Sequence, residues 1–68
     1  MQDEITITRG LAMDDYTATM IAEGVEEADY DTQVAAWQYL HDTGLAYRLQ
    51  GWFGRQARHL IYRGIILE

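Results

Sequence analysis

The 68-residue sequence contains no cysteine and no proline. The absence of cysteine excludes disulfide bonds and any zinc site built from thiolates. A chain of this length forms one domain, and such a domain buries only about 60% of the surface that its unfolded form exposes. Because no disulfide can compensate for the small core, we expect the protein to bury further surface by self-association, as a homodimer.

The sequence also has no hydrophobic run of the roughly 20 residues that a membrane-spanning helix requires. Its opening, MQDEITITRG, is acidic, whereas a secretory signal begins with a basic segment followed by an apolar one. We therefore expect an intracellular protein that does not enter a membrane.

Every basic residue is an arginine, and the five arginines are outnumbered by eleven acidic residues, which gives a net charge of -6. Ten of the eleven acidic residues precede Thr43, and none lies between Thr43 and Leu67. This separation of charge has two interpretations. Either the acidic part folds against or beside the arginines, or it presents an acidic surface to a basic partner.

The stretch from Thr43 to Gly64 has the periodicity of one amphipathic helix, which we predict over residues 45–63. One arc of its helical wheel carries Ala46, Leu49, Phe53, Ala57, Leu60, Ile61 and Gly64, and the opposite arc carries Arg48, Arg55, Arg58, His59 and Arg63. Gly51 and Gly54 weaken this helix, because glycine costs about 1 kcal/mol relative to alanine in a helix interior. They indicate either that the helix breaks near Gly51 or that something packs close there. The explanations are a kink or a close helix–helix approach, or a bare backbone that a partner can approach.

The sequence before this stretch predicts an extended segment over residues 1–12 and a helix over residues 13–24. Residues 4–8 alternate polar and β-branched side chains, which is typical of a short strand. Such a strand needs a partner, and residues 65–67 are the available candidate, within one chain or across a dimer. The helix carries acidic residues in its first turn, where the helix dipole favours them.

A further helix is predicted over residues 31–43, with Val34, Trp37 and Leu40 on its apolar side. Because only Thr43 and Gly44 separate it from the last helix, these two helices should form a hairpin. The predicted fold is therefore all-α or nearly so. It is a small three-helix domain with a C-terminal helical hairpin and a short extended N-terminal segment.

The connection between the first two helices is acidic and contains Glu26, Glu27, Asp29 and Asp31. We interpret it as a solvated loop, because it lacks the glycine and the terminal glutamate of a calcium-binding loop. Asp29 or Asp31 is a candidate N-cap for the helix that follows.

Catalytic patterns are also missing from the sequence. His41 and His59 are the only side chains that ordinarily titrate near neutral pH, and nothing in the spacing brings a nucleophile, a base and an orienting group together. There is no HExxH zinc motif and no glycine-rich phosphate loop. We therefore predict a protein that is not an enzyme and that uses no metal and no cofactor.

Residues 35–66 resemble a group of small uncharacterised proteins of bacteriophages and bacterial prophages, whose pattern is close to AWQ-x-L-x-x-TG-L, LQG-x-FGR-x-A and LI-x-x-G. The matching positions are Ala36, Trp37, Gln38, Leu40, Thr43, Gly44, Leu45, Leu49, Gln50, Gly51, Phe53, Gly54, Arg55, Ala57, Leu60, Ile61 and Gly64. The family has no established activity. The resemblance implies a phage origin and a shared fold, and little about function. Together with the expected intracellular location, it predicts a protein of the host cytoplasm.

A small acidic phage protein without a cofactor is expected to be an accessory protein that modulates the host by binding a bacterial host protein. The residues expected to form its binding surface are Gln50, Gly51, Trp52, Gly54, Arg55 and Arg58, with the acidic residues Glu26, Glu27, Asp29 and Asp31 as a second surface. Trp52 would be the anchor and Arg55 would pair with a carboxylate. Alternatively, Gln50 and Arg55 hydrogen-bond the corner of the hairpin.

Two other functions fit the charge pattern. The acidic half could imitate a phosphate backbone and inhibit a defence enzyme, in the manner of an anti-CRISPR or anti-restriction protein. The arginines, interleaved with Tyr47, Trp52 and Tyr62, could instead bind nucleic acid directly. The negative net charge opposes this last possibility, because phosphate contacts dominate the affinity of such complexes.

Overall fold

The computed structural model describes residues 13–68 as three α-helices and one short 3-10 helix. The elements in chain order are α1 (Asp15–Ala22), α2 (Tyr30–Asp42), the 3-10 helix Leu45–Tyr47 and α3 (Gly51–Tyr62). Within residues 13–68 there is no strand, which confirms the predicted all-α class. No helix in this part of the chain is long and apolar enough to cross a lipid bilayer. The predicted extended segment 1–12 and the strand 4–8 lie outside the described residues.

Two aspartates set the starts of α1 and α2. Oδ1 of Asp14 accepts a hydrogen bond from the backbone N–H of Thr17, and Oδ1 of Asp29 does the same for Thr32, both at 2.8 Å. Each carboxylate thereby satisfies a backbone N–H group that has no partner within its helix. The observed first residues of the two helices, Asp15 and Tyr30, are therefore within two positions of the predicted starts at 13 and 31. Asp29 is the N-cap of α2.

The helices end at glycines that adopt the left-handed conformation. Gly44 has φ = 81° after α2, and Gly64 has φ = 78° after α3. After Gly64 the N–H of Ile65 donates to the carbonyl of Leu60 at 2.8 Å, which closes the last turn. Both glycines act as the helix ends that the sequence predicts.

The prediction of a single helix over residues 45–63 is wrong, whereas the alternative of a break near Gly51 is confirmed. After the 3-10 helix the chain becomes extended at Gln50, where ψ is 151°, and α3 begins only at Gly51. A continuous helix would hold Ala46 and Phe53 about 10 Å apart along its axis. The break instead folds the 3-10 helix back, so that both side chains reach one buried cluster.

The helical hairpin itself is confirmed, although its corner is longer than predicted. The start of α3 meets the middle of α2, where the rings of Trp37 and Phe53 lie 6.0 Å apart. The end of α3 meets the start of α2, where Tyr30 and Leu60 line one cavity. These contacts make α2 and α3 antiparallel.

The core draws on all of these elements and on the C-terminal tail. Its buried residues are Ala18, Ile21, Ala36, Trp37, Leu40, Ala46, Phe53, Ala57 and Ile66. Ile66 belongs to no helix, and the side-chain amide of Gln38 holds its segment in place. Nε2 of Gln38 donates to the carbonyl of Leu67, and Oε1 accepts from its N–H, both at 2.8 Å. The tail expected to pair with a strand is thus bound to α2 by a side chain.

Candidate protein-binding surface

The start of α3 exposes an aromatic ring that rests on two others. The indole of Trp52 is 37% exposed, and it stacks on Phe53 with 4.0 Å between ring centroids. Its edge meets Trp37 at 6.3 Å and an interplanar angle of 68°. Because Phe53 and Trp37 are buried, the exposed ring is held in one orientation before any partner arrives.

Three other predicted binding residues lie near Trp52 in the chain, at the start of α3, and we name the group of Gln50, Gly51, Trp52 and Arg55 the Trp52 surface. Gln50 is exposed at the N-cap of α3, and its side chain makes no capping hydrogen bond. The guanidinium of Arg55 lies back over Gly51, with Nη1 3.1 Å from the point where a Cβ would stand. The absence of a side chain at Gly51 therefore makes room for the charge of Arg55.

Gly54 lies apart from the Trp52 surface, against the 3-10 helix. A Cβ at this position would stand 3.3 Å from Cδ1 of Tyr47 and 3.6 Å from the carbonyl oxygen of Ala46. This is the close approach of two helical elements that the sequence offered as one explanation for its glycines. The contact explains why residue 54 has no side chain without invoking a partner.

Arg58 takes part in the same contact. Its Cζ lies 5.4 Å from the ring centroid of Tyr47, and the hydroxyl of Tyr47 lies 2.7 Å from Nδ1 of His41. These interactions join α3, the 3-10 helix and α2 on a flank of α3 that does not contain Trp52. The sequence contains no periodic signal that would reveal the contact between His41 and Tyr47.

A shallow groove between α2 and α3 is the feature that the sequence reasoning missed. It encloses about 110 Å³ and is lined by Tyr30, Val34, Trp37, Gln56, Leu60 and Ile65, among others. Trp37 lines this groove and also contacts Trp52, so the groove adjoins the Trp52 surface. The sequence does show the apolar positions of the two predicted helices. It does not show how far apart the two helices pack, and this distance decides whether a groove remains between them.

The four acidic residues of the second predicted surface separate into two roles. Glu26 and Glu27 are exposed in the loop between α1 and α2, and Asp31 is exposed in the first turn of α2. The carboxylate of Asp29 instead accepts the N-cap hydrogen bond from the backbone N–H of Thr32 in α2. Glu27 and Asp29 border an open concavity of about 550 Å³. Across residues 13–68, no group of three or more His, Cys, Asp or Glu side chains is arranged to hold a metal ion.

Other carboxylates bind hydroxyl, amide and backbone groups. The hydroxyl of Tyr39 donates to Asp15 at 2.7 Å, which raises the pKa of Tyr39, because only the protonated hydroxyl can donate this hydrogen bond. The hydrogen bonds from Thr17 to Asp14 lower the pKa of that carboxyl, because they favour its charged form. Gln38 donates to Asp42 at 3.0 Å. None of these contacts involves an arginine, so they do not join the acidic part to the arginine-bearing helix.

Comparison of the chain with protein-family models, curated proteins and solved structures gives no match. The arrangement provides an oriented aromatic ring, an adjacent guanidinium and an apolar groove. Groups of these kinds are common where proteins recognise other macromolecules.

Proposed function

We propose that this protein is a non-catalytic, phage-type accessory protein that binds a bacterial host protein in the host cytoplasm through the Trp52 surface. The observation that carries the proposal is the half-exposed indole of Trp52, stacked on Phe53 and braced by Trp37. Exposed tryptophans of this kind are enriched among the residues that dominate binding energy. An anchor already held in place loses little conformational entropy on binding.

Arg55 supplies specificity to the same surface. It stands one turn after Trp52 with its guanidinium over Gly51, so its charge lies beside the aromatic anchor. A planar guanidinium binds a carboxylate through two parallel hydrogen bonds, which a lysine cannot do. We therefore propose that the host protein offers an apolar pocket for Trp52 and a carboxylate for Arg55. The phage and host assignment is supported by the sequence pattern of residues 35–66.

The proposal is tested by capturing host proteins from a bacterial lysate on immobilised protein and identifying them by mass spectrometry. Binding of the captured protein is then compared for the wild type, Trp52→Ala and Tyr62→Ala. Loss of a binding hot spot costs about 2 kcal/mol or more, which weakens binding about 30-fold. Tyr62→Ala is the matched control, because it removes another exposed aromatic ring of α3.

We expect Trp52→Ala to lose the captured partner while Tyr62→Ala retains it. Circular dichroism of both variants verifies that the helices are intact, so that a loss of binding reports on the surface. If Trp52→Ala binds the same host protein as tightly as the wild type, the Trp52 surface is not the binding site.

A second candidate function is inhibition of a defence enzyme by imitation of a phosphate backbone. The exposure of Glu26 and Glu27 beside the open concavity favours it. The double variant Glu26→Lys/Glu27→Lys distinguishes the two functions, because it reverses the acidic surface without touching the N-cap Asp29. Mimicry predicts that this variant no longer inhibits the enzyme, whereas binding through Trp52 predicts unchanged capture. Retardation of DNA at low salt, weakened by Arg55→Ala, would instead support direct nucleic-acid binding.

A further inference from the structure

The groove between α2 and α3 has room for one apolar side chain. Its volume of about 110 Å³ is well below the roughly 300–1,000 Å³ of a site for a drug-sized ligand. Engineered apolar cavities of about 150 Å³ hold a single benzene molecule. Val34, Leu60 and Ile65 supply apolar walls, and Tyr30, which is 65% exposed, stands at the edge. The occupant that fits is therefore one aliphatic side chain of a macromolecule.

Helical spacing places two residues at the edge of the arginine arc, His59 and the C-cap Arg63, next to the α3 residues that line this groove. Arg63 follows the groove residues Leu60 and Gln56 by three and seven positions, and His59 follows Gln56 by three, spacings that place them along one side of a helix. Arg63 and His59 are both exposed. No acidic residue lies between Thr43 and Leu67, so α3 itself carries no carboxylate near them. A segment that places an aliphatic side chain in the groove would be favoured by carboxylates next to it.

The loop between α1 and α2 of this same chain has that chemistry. Val25 is 70% exposed, and the exposed residues Glu23, Glu26 and Glu27 flank it. The N–H groups of Val25 and Glu26 donate to the carbonyl of Met20 at 3.0 and 3.2 Å. These bonds hold the loop against the end of α1, so Val25 projects from a fixed position. Because its side chain is exposed, Val25 does not occupy the groove of its own chain.

The loop and the groove adjoin each other. The concavity beside the loop is lined by Glu27 and Gln33, and Gln33 also lines the groove. When two complementary features lie side by side, a two-fold axis between them places each one against its counterpart on a second copy. We propose that two copies of this chain associate in this way, with Val25 of each in the α2–α3 groove of the other and Glu26 and Glu27 facing Arg63 and His59.

This inference goes beyond host binding, because it concerns the α2–α3 groove, which adjoins the Trp52 surface, and a second copy of the chain. It is tested by charge exchange with the full chain. One variant carries Glu26→Arg and Glu27→Arg, and the other carries His59→Glu and Arg63→Glu. The mass of each variant, and of their equimolar mixture, is measured by sedimentation equilibrium over a wide concentration range.

We expect the wild type to reach twice the monomer mass, and each charge variant alone to dissociate at least ten-fold more readily. The mixture should regain wild-type association, because each reversed loop then meets a reversed groove. Val25→Asp should weaken association in the same way. Arg48→Glu is the control for a charge change away from the groove and should leave association unaltered.

A wild type that remains monomeric at every concentration would overturn the proposal. So would variants that associate as tightly as the wild type, or a mixture that stays monomeric while both variants are folded by circular dichroism. A mass that grows continuously with concentration would overturn the two-fold arrangement, since closed pairing stops at two copies. Host capture by Trp52→Ala is measured separately, so either proposal can fail without the other.

Discussion

Replacement of Gln38 should weaken the attachment of the C-terminal tail to α2, and the two hydrogen bonds that are lost set the size of the effect. The side-chain amide makes two hydrogen bonds to the backbone of Leu67, 29 positions later in the chain. Each such bond contributes about 0.5–1.5 kcal/mol net, and their half-exposed position allows water to replace them in part. Gln38→Ala should therefore cost about 1–2 kcal/mol if the tail keeps its place.

A larger loss is expected if the tail detaches, because Ile66 is only 1% exposed. Returning a buried isoleucine to water costs about 1.5–3 kcal/mol, so the total would reach about 3–5 kcal/mol. The stability of a domain of this length is itself only about 3–10 kcal/mol. Loss of the tail would thus remove a large part of the free energy of unfolding.

Two measurements separate these outcomes. Urea denaturation followed by circular dichroism gives the loss of stability, and hydrogen exchange of the Leu67 amide reports whether its N–H remains bonded. Gln56→Ala is the matched control, because it truncates an exposed glutamine of α3 and should change stability by less than about 0.5 kcal/mol. If Gln38→Ala leaves both the denaturation midpoint and the exchange of Leu67 unaltered, the amide does not hold the tail.

Two further predictions concern the helices. Gly54→Ala should raise the free energy of unfolding by less than the roughly 1 kcal/mol expected from helix propensity, because its Cβ would stand 3.3 Å from Cδ1 of Tyr47. A gain of the full roughly 1 kcal/mol in urea denaturation would contradict this packing. The lowered pKa of Asp14 predicts cap stability that is complete above the ordinary carboxyl value of 3.8 and is lost as pH falls through the lowered value. Asp14→Asn should flatten this acid dependence in unfolding titrations, and an identical profile would show that Asp14 is not its source.

Local signals in the sequence determined the helices and most of their ends. Periodicity over a few turns indicated α1, α2 and α3, and Asp29 and Gly44 mark a start and an end because their effects act on neighbouring backbone groups. Such signals need no knowledge of the rest of the fold. They also marked Trp52 as an aromatic residue at the weak point of the last helix.

The tertiary structure decided what depends on residues far apart in the chain. A helical wheel cannot distinguish one long helix over residues 45–63 from two elements folded so that Ala46 and Phe53 share a core. Nor does spacing reveal the pairing of Gln38 with Leu67, or the groove between α2 and α3. Local patterns report the conformational preferences of a single segment. Burial and side-chain contacts arise only when segments pack together, because they depend on the shapes of both segments.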